Sequence, residues 1–283
     1  MSLDPDDSAP GLRELLAFYA EAGVDDALVE EAPDRFAEAK RAAQSVAAAP
    51  PASAEETRVA QRQAAVASAP SRPPAMAVVP DETQIALARQ RASQANTLEE
   101  LRQQLADFDG CNLKTTAKSL VFADGNPRAD LMLVGEAPGR DEDLEGLPFV
   151  GRSGQLLDRI LAAIGLDRQS AYIANVIPWR PPGNRTPTPQ ETEICRPFIE
   201  RQIELVNPKV LVTLGGPAAK LLLKTSEGIL RLRGKWGIHT TASQVAIPTM
   251  PTLHPAYLLR NPAHKKLAWR DFLEVKAKLR LLD

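Results

Sequence analysis

The stretch Asp130-Leu-Met-Leu-Val-Gly-Glu-Ala-Pro-Gly139 decides the fold of this 283-residue chain. Four consecutive apolar residues, 131–134, are typical of a β-strand that is buried on both faces. The run ends in two glycines and a proline, which predict a tight turn with exposed backbone at the carboxyl end of the strand. Ligands of open α/β sheets bind at that end, so we expect a site here with Glu136 as its first carboxylate.

A glycine-rich loop, Pro148-Phe-Val-Gly-Arg-Ser-Gly154, leads directly into a helical repeat of apolar residues that ends at Ile164. Glycines ahead of a helix leave backbone N–H groups free to bind phosphate oxygens, so we expect this loop to contact phosphate. Taken alone, a glycine-rich turn after a strand is a weak signal. An ordinary acidic loop is its more frequent explanation.

The pattern of strand, turn and helix recurs along the rest of the chain. Three further apolar runs predict strands at 171–175, 210–214 and 247–253. Helical patterns separate them, one of which opens with a capping box at Thr188 and Glu191. This alternation predicts an α/β fold, a three-layer α/β/α sandwich around a four-stranded parallel sheet.

Each predicted strand ends in glycine or in a side chain that can do chemistry. Glu136 follows the first strand, Asn175 ends the second, Gly215 and Gly216 follow the third, and His254 follows the fourth. The carboxyl ends of parallel strands share one edge of a sheet, so we expect these residues in one cleft. This convergence strengthens the weak signal of the first turn.

Charge divides the chain into an acidic and a basic part. Residues 1–100 contain 9 Lys and Arg against 17 Asp and Glu, whereas residues 101–283 contain 25 against 19. The basic excess of the second part permits a polyanionic partner without requiring one.

Composition predicts three segments. Residues 1–32 are expected to form a short N-terminal helical segment, 33–80 a disordered Ala/Pro-rich linker, and 81–283 the main domain. No apolar run is long enough to span a bilayer, and the acidic N-terminus is unlike a secretory signal. The two cysteines give no disulfide framework. These features predict a cytoplasmic protein with no membrane partner.

The side chains at the strand ends suit cleavage of a base from its sugar. A carboxylate such as Glu136 activates water or stabilises a cation, and a histidine such as His254 hydrogen-bonds a developing oxyanion. The amide of Asn175 carries both a donor and an acceptor, as reading the imide edge of a pyrimidine requires. Phe149 offers a stacking surface, and the set fits an enzyme that flips a base out of DNA.

Loops around the same edge supply candidate DNA contacts. Leu258 is predicted to lie on an exposed loop and to act as a wedge between stacked bases. Each candidate, taken singly, has a more ordinary explanation such as core packing, turn formation or solvated charge. Only their joint occurrence favours function. The arginines that could hold phosphates are Arg152, Arg180, Arg185 and Arg260.

Five motifs, in order along the chain, resemble those of the family-four uracil-DNA glycosylases. The resemblance extends from about residue 98 to the C-terminus and leaves the N-terminal tail outside it. It implies hydrolysis of the N-glycosidic bond of uracil in DNA, which leaves free uracil and an abasic site. The motifs are Gly135-Glu-Ala-Pro-Gly139, Pro148-Phe-Val-Gly-Arg-Ser-Gly154, Tyr172-Ile-Ala-Asn175, Arg180-Pro-Pro-Gly-Asn-Arg185 and His254-Pro-Ala-Tyr-Leu-Leu-Arg260.

The resemblance also implies roles for the matching residues. Glu136 belongs to the water-activating motif and His254 would stabilise the uracil anion, so both are predicted to be catalytic. Glu142 and Asp143 match acidic positions near the pocket of the family. The predicted substrate-binding residues are Ala137, Asp143, Phe149 and Asn175. The predicted DNA-binding residues are Arg152, Gly154, Arg185, Gly216, Leu258 and Arg260.

Members of this family usually hold an iron–sulfur cluster on four cysteines. This chain retains the second and fourth positions as Cys111 and Cys195 and has Phe108 and Trp179 at the first and third. Two thiolates cannot hold a four-cysteine cluster. We therefore expect no cluster and no metal, with the two aromatic rings filling that volume.

A non-turnover uracil-DNA binding protein of the same superfamily is the alternative. A branch of the superfamily binds irreversibly through a histidine in the loop after the second strand, and the matching loop here, 181–189, has no histidine. A nucleotide-binding module without excision is more distant, because neither a P-loop nor a dinucleotide motif is present. We expect a monomer that acts on uracil-containing DNA. The N-terminal tail has two open explanations, a tether to unknown repair or replication partners and no specific role.

Overall fold

The computed structural model describes residues 81–282. The helical segment and linker predicted for residues 1–32 and 33–80 lie outside the described residues, and the boundaries drawn for them stay predictions. No helix in the described part of the chain is both long enough and apolar enough to cross a bilayer.

Three helices come first along the described chain, and strands and helices then alternate. The helices are α1 (Asp81–Gln94), α2 (Leu98–Ala106), α3 (Leu113–Thr116), α4 (Arg140–Glu145), α5 (Arg152–Ile164), α6 (Pro189–Val206), α7 (Gly216–Leu222), α8 (Ile229–Leu232), α9 (Pro255–Arg260) and α10 (Lys265–Leu282). The strands are β1 (Asp124–Gly125), β2 (Leu131–Gly135), β3 (Ala171–Asn175), β4 (Val210–Leu214), β5 (Gly237–Thr240) and β6 (Ala246–Thr252).

These strands form one mixed sheet of six in the order β1-β3-β2-β4-β6-β5. The predicted four-stranded parallel sheet is its centre, since β3, β2, β4 and β6 pair in parallel. The prediction was wrong about the edges, where β1 and β5 pair antiparallel to their neighbours. Neither edge strand has an apolar run: β1 is two residues of turn-like sequence, and β5 buries only His239 fully.

Helices cover both faces of the sheet because its central strands are apolar on both sides. In β2, Met132 and Val134 join one buried cluster, which also contains residues of α1, α2 and α6. Leu131 and Leu133 point the other way and join a second cluster with residues of α5 and α10. The chain thus has the predicted α/β fold, with a helical layer on each side of the sheet.

The register of the parallel strands places the functional candidates at one edge. Gly135 at the end of β2 lies opposite Asn175 at the end of β3. On the other side, the backbone N–H of Gly215 donates to the carbonyl of Thr252 at 2.9 Å, so β4 and β6 end together. His254 follows two residues after β6. The predicted convergence of the strand ends is therefore found.

Candidate active site

A cavity of about 430 Å³ opens at the carboxyl edge of the central strands. Its walls come from the turns after β2, β3 and β6 and from the loop that precedes α5. The predicted site residues that line it are Glu136, Ala137, Phe149, Asn175, Arg185, His254 and Arg260.

Asn175 places an unsatisfied hydrogen-bond acceptor in this cavity. The residue is only 6% exposed. Its Oδ1 atom is buried and has no hydrogen-bond partner in the described part of the chain. A buried polar atom without a partner is costly, and native structures keep few of them. This carbonyl is therefore ready to accept a hydrogen bond from an N–H group of a bound ligand.

Gly135 makes the room in which Asn175 and Phe149 meet. A Cβ atom at this position would lie 2.4 Å from Asn175 Oδ1 and 2.6 Å from Phe149 Cζ, closer than real Cβ contacts. Only glycine lets the amide and the ring both approach the end of β2. The amide edge and the aromatic face are consequently held next to each other.

The imidazole of His254 completes the same corner. Its ring centroid lies 5.5 Å from that of Phe149, with an angle of 31° between the planes. Gly215 allows this placement, because its φ of 98° favours glycine and a Cβ atom there would lie 3.2 Å from His254 Cβ. An aromatic face, an amide and an imidazole therefore border one volume.

His254 is held in one protonation state by its position at the start of α9. Its Nδ1 atom accepts a hydrogen bond from the backbone N–H of Ala256 at 3.1 Å, so the neutral ring carries its proton on Nε2. Burial and the positive charge of Arg260 lower the pKa of His254 to about 4. At neutral pH the ring is uncharged and remains a hydrogen-bond donor through Nε2.

Glu136 contributes to the cavity a carboxylate that is more basic than usual. It directly follows β2, and its backbone carbonyl accepts from the N–H of Ile177 at 2.9 Å, which fixes the turn. Burial raises the pKa of its carboxyl group. A carboxylate with a raised pKa is a better proton acceptor for water than an ordinary glutamate.

Glu142 uses its carboxylate to join the two glycine-rich loops. Its Oε2 accepts from the backbone N–H of Gly139 at 3.0 Å, and its Oε1 accepts from that of Gly151 at 3.1 Å. Both oxygens are therefore engaged, although the residue contributes to the cavity wall. Glu142 is better suited to holding the loops together than to chemistry.

The predicted contact between Asp143 and substrate does not agree with its position. Asp143 is 3% exposed and lies outside the cavity lining. Its Oδ1 accepts from the backbone N–H groups of Lys118 and Ser119 at 2.8 and 3.1 Å. The helical turn of α4 directs it away from the cavity, so it ties the loop before β1 to this helix.

The prediction that Leu258 lies on an exposed loop is also wrong. Leu258 is 1% exposed and packs in a small cluster with Leu253 and Ala268. The segment after His254 is the helix α9 rather than a loop, and its inner side carries Leu258. The next residue, Leu259, is 37% exposed.

The remaining predicted DNA contacts differ in position. Arg152 is exposed at the first residue of α5, whereas Gly216 is half-buried at the first residue of α7. Gly154 is buried, and a Cβ atom there would lie 1.6 Å from the carbonyl oxygen of Phe149. The lack of a side chain at Gly154 thus serves packing of the Phe149 turn, and its predicted DNA contact does not agree with that burial.

Arg185 stands at the rim of the cavity with its charge partly committed. Its guanidinium donates to both carboxylate oxygens of Glu191 at 2.9 and 2.6 Å. Glu191 also caps α6 through the N–H of Thr188 at 2.7 Å. The loop between β3 and α6 is therefore tied to the start of that helix.

The cavity also contains residues that had not been singled out. Tyr257 has its hydroxyl 2.8 Å from His264 Nδ1, which fixes its ring at the wall. The signal that could have identified these residues was their place inside the quoted motifs. The additional wall residues within those motifs are Pro138, Gly139, Ser153, Pro181, Asn184, Ala256 and Tyr257, and Thr186 and Pro187 directly follow the fourth motif.

The two retained cysteines lie in an apolar core. The Sγ atoms of Cys111 and Cys195 are 3.9 Å apart, and both residues are buried. Phe108 and Trp179 are buried in the same cluster. The neighbouring thiol of Cys111 and burial raise the pKa of Cys195 well above its ordinary value. No group of three or more His, Cys, Asp or Glu within residues 81–282 could hold a metal ion.

At the edge of this α/β sheet, one cavity combines an amide oxygen that has no partner among residues 81–282, an aromatic face and a neutral imidazole, a set that is suited to holding a planar base. In agreement, residues 122–273 match the family profile of the uracil DNA glycosylase superfamily. This match covers more than half of the chain, and the chain belongs to this superfamily.

Within this superfamily, the chain is similar to several type-4 uracil-DNA glycosylases. A type-4 uracil-DNA glycosylase of Saccharolobus solfataricus is 41% identical over 177 residues, which are 60% of this chain and 80% of that protein. One of Archaeoglobus fulgidus is 38% identical over 184 residues, 63% of this chain and 92% of that protein. One of Sulfurisphaera tokodaii is 37% identical over 186 residues, 64% of this chain and 84% of that protein.

The raised pKa of Glu136 gives a stability prediction. At pH values between its ordinary and its raised pKa, the folded chain keeps a proton that the unfolded chain has lost, so stability falls as pH rises through this window. We expect Glu136→Gln to raise the unfolding temperature at about pH 8 and to have little effect at about pH 4. Thermal unfolding at both pH values measures this.

Glu142→Gln is the matched control for that prediction, because its carboxylate accepts two backbone N–H groups. Its loss of charge should lower the unfolding temperature at about pH 8. If Glu136→Gln lowered the unfolding temperature at about pH 8 as much as Glu142→Gln does, the ionised carboxylate of Glu136 would not destabilise the fold, and the prediction would be contradicted.

Proposed function

We propose that this protein is a DNA repair uracil-DNA glycosylase that hydrolyses the N-glycosidic bond of uracil in DNA. The observation that carries the proposal is the buried, unpaired Oδ1 of Asn175 beside the ring of Phe149. Uracil presents an N–H flanked by a carbonyl oxygen on its imide edge. The carboxamide of Asn175 matches that pair, its Oδ1 accepting from the N–H and its NH₂ donating to the carbonyl.

Base recognition then follows from the three neighbouring groups. A uracil flipped out of the helix would stack on Phe149 and meet Asn175 with its imide edge. Cytosine presents the opposite arrangement, an amino donor beside a ring-nitrogen acceptor. In the amide orientation that matches uracil, Asn175 would leave cytosine with unsatisfied groups.

His254 would stabilise the departing base. When the bond between the sugar C1′ and the uracil N1 breaks, its electron pair leaves with the base and charge develops on the uracil oxygen. A neutral imidazole that donates through Nε2–H can share that charge without first acquiring a proton. The lowered pKa of His254 keeps the ring in this form across the neutral pH range.

Glu136 would act on the sugar side. As the base leaves, C1′ becomes cation-like, and a carboxylate in a partly buried cavity stabilises it. A water molecule adds its oxygen to C1′, and its proton passes to the carboxylate, whose raised pKa suits this role. The products are free uracil and an abasic site.

The proposed DNA contacts are cationic residues around the cavity. Arg260 is exposed at the end of α9 and lines the cavity, and Arg185 lies on the opposite loop. Arg152 is exposed at the start of α5 and is suited to a phosphate further along the strand. The monomeric state, the cytoplasmic location and the tethering role of the N-terminal tail stay predictions.

Excision from a labelled oligonucleotide with one uracil, read by alkali cleavage under multiple turnover, tests the function. We expect release of uracil by the wild-type chain. Asn175→Ala should lower kcat/KM by about 10²-fold or more, because the buried partner of the imide edge is lost. Asn96→Ala is the control, since this exposed side-chain amide lies outside the cavity lining, donates to the carbonyl of Gln94 at 3.3 Å and should matter little.

A different outcome would reassign the protein. A stable, uracil-dependent shift of the DNA without cleavage would indicate the non-turnover binding protein. The loop from Pro181 to Pro189 contains no histidine that could trap the sugar. Equal losses for Asn175→Ala and Asn96→Ala would remove Asn175 from base recognition.

The burial of Leu258 moves the proposed helix wedge to Leu259. Leu259→Ala should leave stability nearly unchanged and reduce excision from duplex DNA about tenfold more than from single-stranded DNA, since only a duplex needs its gap filled. Leu258→Ala should instead cost about 2–5 kcal/mol of unfolding free energy. Denaturant unfolding and parallel excision assays separate the two, and a duplex-specific loss in Leu258→Ala at full stability would restore the original prediction.

We also propose that the protein works without the iron–sulfur cluster of its family. Two aromatic side chains stand where two thiolate ligands would be needed, and both are buried in the apolar core. Purified wild-type protein should contain less than stoichiometric iron and show no broad absorbance in the blue. Cys111→Ser with Cys195→Ala should retain excision, whereas loss of both iron and activity in this variant would contradict the proposal.

A further inference from the structure

The backbone that carries Phe149 is held in an uncommon conformation. Phe149 has a φ of 55°, in the left-handed region that bulky residues rarely adopt. Its ring is nevertheless 4% exposed and fixed against Gly135 at the cavity wall. A relaxed backbone at this residue would swing the ring away from the cavity. Something outside the cavity must therefore hold the turn.

Arg168 contacts this turn from the side away from the cavity. It lies in the connection between α5 and β3, and its guanidinium donates to the backbone carbonyls of Pro148, at 3.1 Å, and of Phe149. These two carbonyls flank the N–H and Cα of Phe149, so they set the orientation of its two peptide planes. Arg168 does not line the cavity.

The guanidinium is itself held by two carboxylates on different elements. Its Nη1 donates to Asp124 of β1 at 2.6 Å, and its Nε donates to Asp158 of α5 at 2.8 Å. The side chain is only 21% exposed, which limits screening by water. The rigid sheet and the helix thus fix the position of the fork that holds the turn.

We propose that Arg168 is a positioning residue for base recognition, which acts by holding Phe149 as a stacking face. The inference rests on the proposed function, because it assigns Phe149 to the uracil. A positioning role and a purely structural role predict different effects of substituting Arg168. Loosening the fork should weaken recognition of the base and do so through Phe149.

A double-mutant cycle on Arg168 and Phe149 tests the inference. The readout is binding selectivity, the ratio of dissociation constants for oligonucleotides that carry one thymidine or one 2′-fluoro-2′-deoxyuridine, whose fluorine slows bond cleavage. Arg168→Lys keeps the charge but loses the fork, and we expect it to lower selectivity about tenfold and to raise KM more than it lowers kcat. Asp158→Asn should give a smaller loss in the same direction.

The coupling between the substitutions at Arg168 and Phe149 distinguishes the two roles. Phe149→Ala should lower selectivity while Asn175 and His254 preserve part of it, and excision kcat/KM provides a second readout with a wide range. In the Phe149→Ala background, Arg168→Lys should cause less than a twofold further loss. Additive losses in both readouts would overturn the inference, since Arg168 would then act on something other than Phe149.

Arg201→Lys is the matched control for general loosening. Arg201 also donates to a distant backbone carbonyl, that of Ala95 at 3.0 and 2.8 Å, and to a carboxylate, Glu204 at 2.5 Å. Its side chain is 23% exposed, close to that of Arg168. Arg201→Lys should lower the unfolding temperature similarly and leave selectivity unchanged, and an equal loss of selectivity would overturn the inference.

The binding readout separates this inference from the proposed function. A wild-type chain that selects uracil without excising it would refute the glycosylase and still allow the cycle to be measured. Excision by the wild type with an additive cycle would refute only the role of Arg168. A wild-type chain with neither excision nor selectivity would overturn both.

Discussion

The site depends on the empty space above Gly135. Two groups with different chemistry occupy it, the amide oxygen of Asn175 and the ring of Phe149, and either one would collide with any side chain at the end of β2. The parallel register makes the first contact unavoidable, since Gly135 and Asn175 are direct neighbours across the sheet. The second contact is imposed from outside, by a turn in the left-handed region that is packed on Gly154. The missing Cβ atom of Gly135 is therefore what lets an aromatic face and a hydrogen-bonding edge lie side by side.

The cavity then applies one physical effect to two residues with opposite results. Burial disfavours the charged form of any group, so it raises the pKa of Glu136 and, together with Arg260, lowers that of His254. The pair is left with a more basic carboxylate and a neutral imidazole at the same pH. A reaction that generates a cation on the sugar and an anion on the base needs two different groups. Near the sugar it needs a proton acceptor, and near the base it needs a neutral group that donates a hydrogen bond without giving up its proton. A single partly buried cavity supplies both states without a separate device for each.

The sequence predicted the position of a residue correctly where a run of apolar residues determines the strand that precedes it. The four apolar runs became the parallel centre of the sheet, so the residues after them, Glu136 and His254 among them, had to share an edge. It was less successful where position depends on which side of a short helix faces inward. Asp143 in α4 was predicted to contact the substrate and Leu258 in α9 to lie on an exposed loop, and both are turned inward. Arg168 gave no signal at all, because its contacts with Pro148 and Phe149 join segments that only the tertiary fold brings together.

The aromatic replacements near the cysteines bear on the same cavity. Trp179 lies four residues beyond Asn175, and the residues between them, Val176 and Ile177, belong to the same buried cluster as Trp179 and Phe108. The backbone there is also bound to the segment before β1, since the N–H of Val121 donates to the carbonyl of Pro178 at 2.9 Å. A cluster that joins these segments stabilises them only when metal is bound, because ligand binding and folding are coupled. Packing of Phe108 on Phe198, with centroids 5.2 Å apart, is present whenever the chain folds. Under the proposal that the protein holds no cluster, folding alone would set the position of Asn175, and base recognition would not depend on the supply of iron or on its oxidation state.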